Sequence, residues 1–434
     1  PCRQLTFLLA SGLSLAVDTY QQPSHNSCHY ASGVSFHMAE KVDVAVVGAG
    51  VVGCSVAYYL AREGINVALL ERESIGSGSS AHATGFISLL GTEFTPGPSF
   101  QFGLESYHEF PALVEELEDA TGMDLLYQRR PSLRLALEES EEDLIKDLMS
   151  WQQEHVAIRW ISAAEVHEIE PRLTPTLRGA VYEDESAQLD SYRLNLALAA
   201  GDEAKGAQTI LRQVTGLISE GNRITGVRTQ GGDISCGTVV VAAGLWSPPF
   251  QRDLDFPVPV GALKGERLLL KYDGDPLQVL ISSPKRGHMI SRLDGFLSVG
   301  STGGRDYDQG QLYQGEDMDR VPTETARVEI MQRAIDVFPD LENASLVQQL
   351  AGSRPLSPDR MPIIGPVPGK EGVVLATGHT TKGIHLGPST AKAVTEYIQG
   401  GCKQVPASIE LFLPRRFTGM TDADFQTAGL NVDE

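Results

Sequence analysis

The stretch Val42-Asp-Val-Ala-Val-Val-Gly-Ala-Gly-Val-Val-Gly53, continued by an apolar run to Asn66-Val-Ala-Leu-Leu-Glu71, decides how the chain is read. Val42, Val44, Val46 and Val47 form a short run rich in β-branched residues, the mark of a strand buried on both faces of a parallel sheet. Gly48, Gly50 and Gly53 then complete the G-x-G-x-x-G pattern. The first glycine permits a tight turn, the second lets backbone amides approach a pyrophosphate, and the third lets the next helix pack close. A helix from about residue 54 to 63 presents its positive end, beginning beyond Val51 and Val52, to that anion. Gly64 stops it, and a second strand ends at Glu71, eighteen residues after Gly53. A carboxylate there can accept both ribose hydroxyls of an adenosine. Strand, glycines, helix, strand and terminal acid fall in the order a nucleotide-binding βαβ unit requires.

Bulk properties narrow the setting. With 434 residues, two domains are expected. The 35 Lys plus Arg stand against 56 Asp plus Glu, and a net charge of -21 repels nucleic acid and anionic membrane surfaces. Cys2, Cys28, Cys54, Cys236 and Cys402 are scattered without C-x-x-C spacing, which points to a reducing, cytoplasmic setting without structural zinc. The ten histidines show no paired spacing either, so no metal site is expected. No apolar run has the length of an integral membrane segment. Leu5 to Val17 could serve as the core of a secretory signal, but Met38-Ala-Glu-Lys41 sits directly before the first strand. Residues 1–37 are therefore read as a disordered or non-native extension.

After Glu71 and Arg72 comes the small-residue stretch Gly76-Ser-Gly-Ser-Ser-Ala-His-Ala-Thr-Gly85, read as an ordered loop against a bound cofactor. Helices are expected at about 103–120, 138–153, 191–204 and 323–338, and strands at about 131–137, 179–182, 209–217, 224–229 and 263–272. The run Thr238-Val-Val-Val-Ala-Ala-Gly244 is a buried strand ending in small residues, a second place where backbone can touch a nucleotide. Residues 288–292 and 296–300 form a hairpin through Asp294-Gly295. A strand at 372–379 ends in glycine and histidine, and Pro388 begins the last helix. The fold class is thus α/β, with nucleotide-type segments at 38–90, 177–249 and 356–405. Mixed or antiparallel segments fill 91–176 and 250–355, and 406–434 is a surface tail.

This arrangement resembles the D-amino-acid oxidase family of flavoproteins, which includes glycine oxidase, sarcosine oxidase and dimethylglycine dehydrogenase. The resemblance rests on Val-Val-Gly-Ala-Gly-Val-Val-Gly at 46–53, Leu-Leu-Glu-Arg at 69–72 and Val-Val-Ala-Ala-Gly-Leu-Trp-Ser at 240–247. It extends through Gly-Ser-Arg-Pro at 352–355, Met-Pro-Ile-Ile-Gly at 361–365 and Ala-Thr-Gly-His-Thr-Thr-Lys-Gly-Ile-His-Leu-Gly-Pro at 376–388. It implies a Rossmann-type FAD-binding domain interleaved with a substrate domain built on a mixed, largely antiparallel sheet. It implies FAD held by Gly48, Gly50, Val51, Val52, Gly53, Glu71 and Arg72, with Ser79, Ser80, His82 and Ala83 on the loop. Ala243, Gly244, Gly378, His379, Lys382 and Gly383 complete that set.

The implied activity is oxidation of the C–N bond of a small amino acid or N-methyl amino acid. Hydride passes to flavin N5, the imine hydrolyses, and oxygen or another electron acceptor takes the electrons. Arg354 stands where similar oxidases place the arginine that clamps the substrate carboxylate, and Lys382 and His385 are further catalytic candidates. Lys264 and Arg292 are read as structural. His82 stands where dimethylglycine dehydrogenase carries a histidine linked covalently to the flavin. The alternative is packing without a bond, and flavin that stays soluble after acid precipitation would exclude the link. Where Thr381 and His385 stand, glycine and sarcosine oxidases carry an arginine and a lysine, which puts glycine or sarcosine itself in doubt as substrate. Two other readings stay open: an FAD-dependent 2-hydroxy-acid dehydrogenase, and a flavin-binding subunit without turnover. A serine hydrolase is disfavoured, since no G-x-S-x-G elbow is present.

Overall fold

A computed structural model of the chain describes residues 41–90, 94, 96–301, 320–421 and 424, and the expected 1–37 extension lies outside them. Two sheets organise these residues. In the first, strands Lys41–Val47, Val67–Glu71, Gln208–Leu211, Ile234–Val241 and Val373–Thr377 run parallel in the order 208–211, 67–71, 41–47, 234–241, 373–377. Ile363–Pro366 closes one edge antiparallel, and the hairpin Val214–Glu220 with Arg223–Thr229 leans on Ile234–Val241. Val44, Ala45 and Val46 are fully buried, as a central strand covered on both faces requires.

The second sheet has nine strands in the order Ser345–Leu356, Gly261–Lys271, Leu297–Gly300, Gly287–Ser291, Leu280–Ser283, Gln128–Ala136, Gly179–Gln188 and Phe86–Ile87, with Ile158–Ser162 also on Gly179–Gln188. It is antiparallel except where Leu280–Ser283 meets Gln128–Ala136. The fold is therefore α/β, a Rossmann-type parallel sheet beside a mixed, largely antiparallel one. The expected hairpin through Asp294-Gly295 forms, with Met289 opposite Val299.

The parallel sheet carries helix Val51–Arg62, which is walled in by helix Ser191–Ala204 and by the final helix Gly383–Gln399. Close approach depends on small residues. A Cβ at Gly201 would lie 2.8 Å from the Tyr58 ring, and one at Gly387 would lie 3.1 Å from Ser55 Oγ. Helix Pro98–Thr121 packs across the same layer.

Several elements differ from the expectation. The stretch 209–217 is two strands, broken at Arg212-Gln213 where the chain changes partner from Val67–Glu71 to Arg223–Thr229. Phe86–Ile87 and Gly179–Gln188, read with the nucleotide-type segments, pair within the second sheet. The strands Ile158–Ser162 and Leu280–Ser283 and the helix Ala163–Ile169 were not expected. The last helix starts at Gly383 rather than at Pro388. Proline lacks the N–H an interior helical position needs, and here a neighbour adapts the ladder around it. The Ser106 hydroxyl donates to the His385 carbonyl at 2.5 Å and accepts from Ser389 N–H at 3.3 Å, standing inside the ladder next to the proline. Residues 407–417, read as part of a surface tail, instead bury Phe412, Leu413 and Phe417, and Arg416 donates to the Met361 and Pro362 carbonyls.

Asp202 is fully buried on helix Ser191–Ala204, and among the described residues neither carboxyl oxygen has a hydrogen-bond partner. Burial first, then the Glu203 charge, pushes its pKa up to about 8. An unfolded aspartate gives up its proton near pH ~4, so the folded chain holds the extra proton between those values and loses stability as pH rises through them. The slope is at most about 1.4 kcal/mol per pH unit. Asp202→Asn should therefore raise the thermal midpoint, with an advantage over the parent larger at pH 8 than at pH 5. Equal midpoint differences at the two values would contradict this account of the carboxyl.

Candidate active site

A cavity of about 630 Å³ opens where the carboxyl ends of the parallel strands face the second sheet. Its floor is set by backbone fit. Gly48 has φ +101, and a Cβ there would lie 2.7 Å from the Ala242 carbonyl oxygen, while one at Gly53 would lie 1.8 Å from the Gly48 oxygen. Gly53 therefore stands behind the lining as a packing contact, whereas Gly48, Gly50, Val51 and Val52 line the cavity. These are the conditions for a nucleotide cradle that any side chain would fill. Glu71 ends its strand half-buried, its Oε2 accepting from Ala49 N–H at 2.9 Å and its Oε1 from Glu73 N–H at 2.9 Å. The Arg72 guanidinium lies over Trp246, its carbon 4.0 Å from the ring centre.

The loop after Glu71 joins the two sheets. Ser80 Oγ accepts from Val51 N–H at 3.0 Å, at the start of the first helix. Ser79 Oγ donates to the Ser353 carbonyl at 2.6 Å, and the His82 carbonyl accepts from Arg267 Nε at 2.8 Å. The His82 side chain lies against Gly352, whose missing Cβ would come within 3.0 Å of it. Burial, with Arg267 and Arg320 nearby, lowers the His82 pKa and keeps the imidazole neutral. Ala83, Ala243 and Gly244 line the same wall.

Opposite, the turn Gly378–Lys382 hugs the end of strand Ser345–Leu356. Thr380, with φ +53, donates its N–H to the Pro355 carbonyl at 2.9 Å. His379 is buried and shares a hydrogen bond with Thr390 Oγ1 at 3.0 Å, and burial followed by the Lys382 charge lowers its pKa to about 3. Lys382 is buried at the start of the final helix, its Nζ 5.1 Å from the Phe94 ring centre. Gly383 follows it on the cavity wall. His385 is also at the wall, but its Nε2–H donates to the Gly103 carbonyl at 2.9 Å and its ring lies against Phe94 and Tyr107. These contacts tie the final helix to Pro98–Thr121, a structural use of the ring.

Arg354 reaches back across the second sheet. Its guanidinium lies over Gly265, where a Cβ would be only 2.3 Å away, and Nη2 donates to Ser301 Oγ at 2.9 Å. Gly265 thus leaves room for the arginine to lie flat. Next to it are two residues that the sequence reading missed. His288 shares a 2.7 Å hydrogen bond through Nε2 with Thr84 Oγ1, and burial, then Arg267 and Arg354, lowers its pKa to about 3. Arg267 is buried, and its pKa falls to about 10 through burial and the Arg292 charge. Arg134, Ser282, Trp246 and Arg212 also line the cavity without having been singled out. On the two arginine-bearing strands the signal was a polar face, which a single sequence cannot distinguish from a solvated one. Lys264 and Arg292 are structural as read: Lys264 Nζ donates to the Val321 carbonyl, and Arg292 pairs with Asp190 and Asp294.

Among the described residues, seven cationic side chains (Arg72, Arg134, Arg212, Arg252, Arg267, Arg354 and Lys382) line the cavity with two acids, Glu71 and Glu266, in a chain of net charge -21. The arrangement suits an anionic dinucleotide at one end and a small anion at the other. Among the described residues no group of three or more metal-ligating side chains clusters, and no helix is long and apolar enough to cross a membrane.

Comparison with known proteins agrees with this geometry. The family model for FAD-dependent oxidoreductases matches residues 43–397. The chain is 32% identical to the glycine oxidase of Pseudomonas putida over 363 residues, covering 82% of this chain and 94% of that one. It is 31% identical to the glycine oxidase of Pseudomonas aeruginosa, covering 84% and 96%. The crystal structure of glycine oxidase from Geobacillus kaustophilus superposes with a TM-score of 0.80 at 28% identity, over 87% of this chain and 99% of that one. The chain is therefore an enzyme that uses FAD, a member of the D-amino-acid oxidase family of FAD-dependent oxidoreductases.

Proposed function

We propose that the chain oxidises the C–N bond of a small amino acid or N-methyl amino acid. The observation that carries this reading is the position of Arg354. Its guanidinium lies flat over Gly265 in the same cavity as the glycine turn, and a planar fork suits two-point contact with a carboxylate. The parallel sheet with its helices is the FAD side and the nine-stranded sheet the substrate side. When bound, FAD supplies the two-electron acceptor that takes the α-hydrogen as hydride at N5.

The chain's own residues do the rest. Gly48, Gly50 and the start of helix Val51–Arg62 hold the pyrophosphate, and Glu71 takes the ribose hydroxyls. Lys382 and the amino end of helix Gly383–Gln399 place positive charge on one flank of the cavity, where negative charge gathers on reduction. His82 meets the cofactor from the loop, as a packing partner or through the covalent bond considered above; acid precipitation separates the two. Thr84 holds the His288 ring, which stays neutral and so adds no third charge beside Arg267 and Arg354. The imine product hydrolyses in water to a carbonyl compound and an amine or ammonia.

Two variants test the halves of this reading. Gly53→Ala drives a Cβ into the Gly48 carbonyl and displaces the helix start, so the purified protein should lose most of its flavin, read as the 450 nm to 280 nm absorbance ratio. Full flavin content would contradict the cradle. Arg354→Gln should keep its flavin while the substrate concentration for half-maximal flavin reduction rises about 10- to 100-fold, the range for losing charge-assisted hydrogen bonds. An unchanged concentration would remove Arg354 from the substrate site.

A further inference from the structure

Among the described residues, the charged side chains that line the cavity from the nine-stranded sheet are arginines, which only donate, with one exception. That exception, Glu266, is occupied: its carboxylate accepts from Thr323 N–H, Thr323 Oγ1 and Gln349 Nε2. A substrate amine held on this side needs an acceptor, and His288 is the side chain placed to be one. Its half-buried ring lines the cavity. Nε2 shares the 2.7 Å hydrogen bond with Thr84 Oγ1, while among the described residues no hydrogen bond reaches Nδ1.

Strand register sets this ring near the Arg354 guanidinium. Arg134 stands opposite Ser282, Ser282 opposite His288, His288 opposite Gly300, and Gly300 opposite Arg267. Residues opposite one another on neighbouring strands share a face, so His288 is the middle of that row on the cavity side. Ser301 adjoins Gly300, and its Oγ accepts from Arg354 Nη2 at 2.9 Å. Opposed Cα atoms lie about 5 Å apart, so the path from that nitrogen through Ser301 and Gly300 to the His288 backbone is at most about 13 Å. Two hydrogen bonds of about 2.9 Å, with an α-amino acid between them and the imidazole beyond, fit within it.

Burial, then the Arg267 and Arg354 charges, lowers the His288 pKa to about 3, so the ring is neutral and keeps one nitrogen lone pair. With Nε2–H donating to Thr84, that lone pair is on Nδ1, the arrangement that two neighbouring cations favour. The same charges disfavour an ammonium beside them, so the substrate nitrogen sits there as the free amine. We propose that His288 Nδ1 accepts an N–H of the substrate amine and positions its nitrogen while Arg354 holds the carboxylate. The inference rests on that reading of Arg354. The nitrogen's own lone pair stays free and forms the C=N bond as the α C–H electron pair leaves as hydride to flavin N5, and the imidazole neither gains nor loses a proton. His288 is then a substrate contact that selects amines keeping an N–H, primary or secondary, over tertiary ones.

Unreactive carboxylates of matched shape test this on the holoenzyme. The absorbance of bound flavin is titrated with pyrrole-2-carboxylate, whose ring carries an N–H beside the carboxylate, and with 2-furoate, whose ring oxygen has none. The parent should bind the pyrrole acid roughly three- to tenfold tighter, the range for one hydrogen bond. His288→Leu should bring the two affinities together with 2-furoate binding near the parent's. His288→Asn, whose amide oxygen takes the place of Nδ1, should restore part of the preference, which a merely distorted sheet would not. Arg354→Gln should weaken both acids alike and so reports the carboxylate reading separately. Equal affinities in the parent, or a preference that survives in His288→Leu, would overturn the His288 contact while leaving the Arg354 reading intact. A flavin spectrum that neither acid perturbs would overturn both.

Discussion

At Gly48 two strand ends come so close that a single methyl group would not fit between them, and the rest of the active-site half depends on that contact. The turn can pass beneath Ala242 only with no side chain and with φ +101. Gly53 repeats the condition one helical turn on, seating helix Val51–Arg62 against the turn it leaves. The helix start is thereby aimed at the cavity, and its first amides become the nucleotide end of the site. Glu71 is drawn in by the same geometry, since the Ala49 amide it accepts belongs to the turn. One steric constraint thus fixes the glycine turn and Glu71 together, the two places proposed to hold the phosphate and the ribose.

The loop that follows transmits this position to the second sheet. Ser80 holds the helix start, Ser79 holds strand Ser345–Leu356, and Arg267 holds the His82 carbonyl. Arg354 sits on the strand that Ser79 grips. Its distance from the nucleotide end is therefore set by short hydrogen bonds rather than by a flexible linker, as a hydride transfer over a short distance needs. The acid excess of the whole chain does not oppose an anionic substrate inside. Charges are screened beyond about 8 Å at physiological salt, and among the described residues the lining of the cavity is mainly cationic.

Much of the nucleotide half was legible in the sequence because its determinants are local. A glycine spacing, a β-branched run and a terminal acid each state a steric or electrostatic condition within thirty residues, and the strand Ile234–Val241 running into Ala242-Ala243 states another. Arg134 and His288 were not legible, because their meaning lies in strand register. Nothing near Arg134 in the chain indicates that it stands two strands from His288 or that its polar face turns to a cavity. The start of the last helix was misread for a related reason. Pro388 normally marks a helix beginning, and the Ser106 hydroxyl that stands in the ladder beside it comes from 283 residues before Ser389. Asp202 was not singled out in the sequence, and the packing around helix Ser191–Ala204 is what buries it.

The most direct test of the central claim, amine oxidation by FAD at the junction of the two sheets, is anaerobic absorbance of the bound flavin during addition of amino acids, N-methyl amino acids and 2-hydroxy acids one at a time. The account predicts bleaching of the band near 450 nm by one or more amines, with no bleaching by the matching 2-hydroxy acids. A flavin spectrum that no amine bleaches, or that a 2-hydroxy acid bleaches instead, would contradict it.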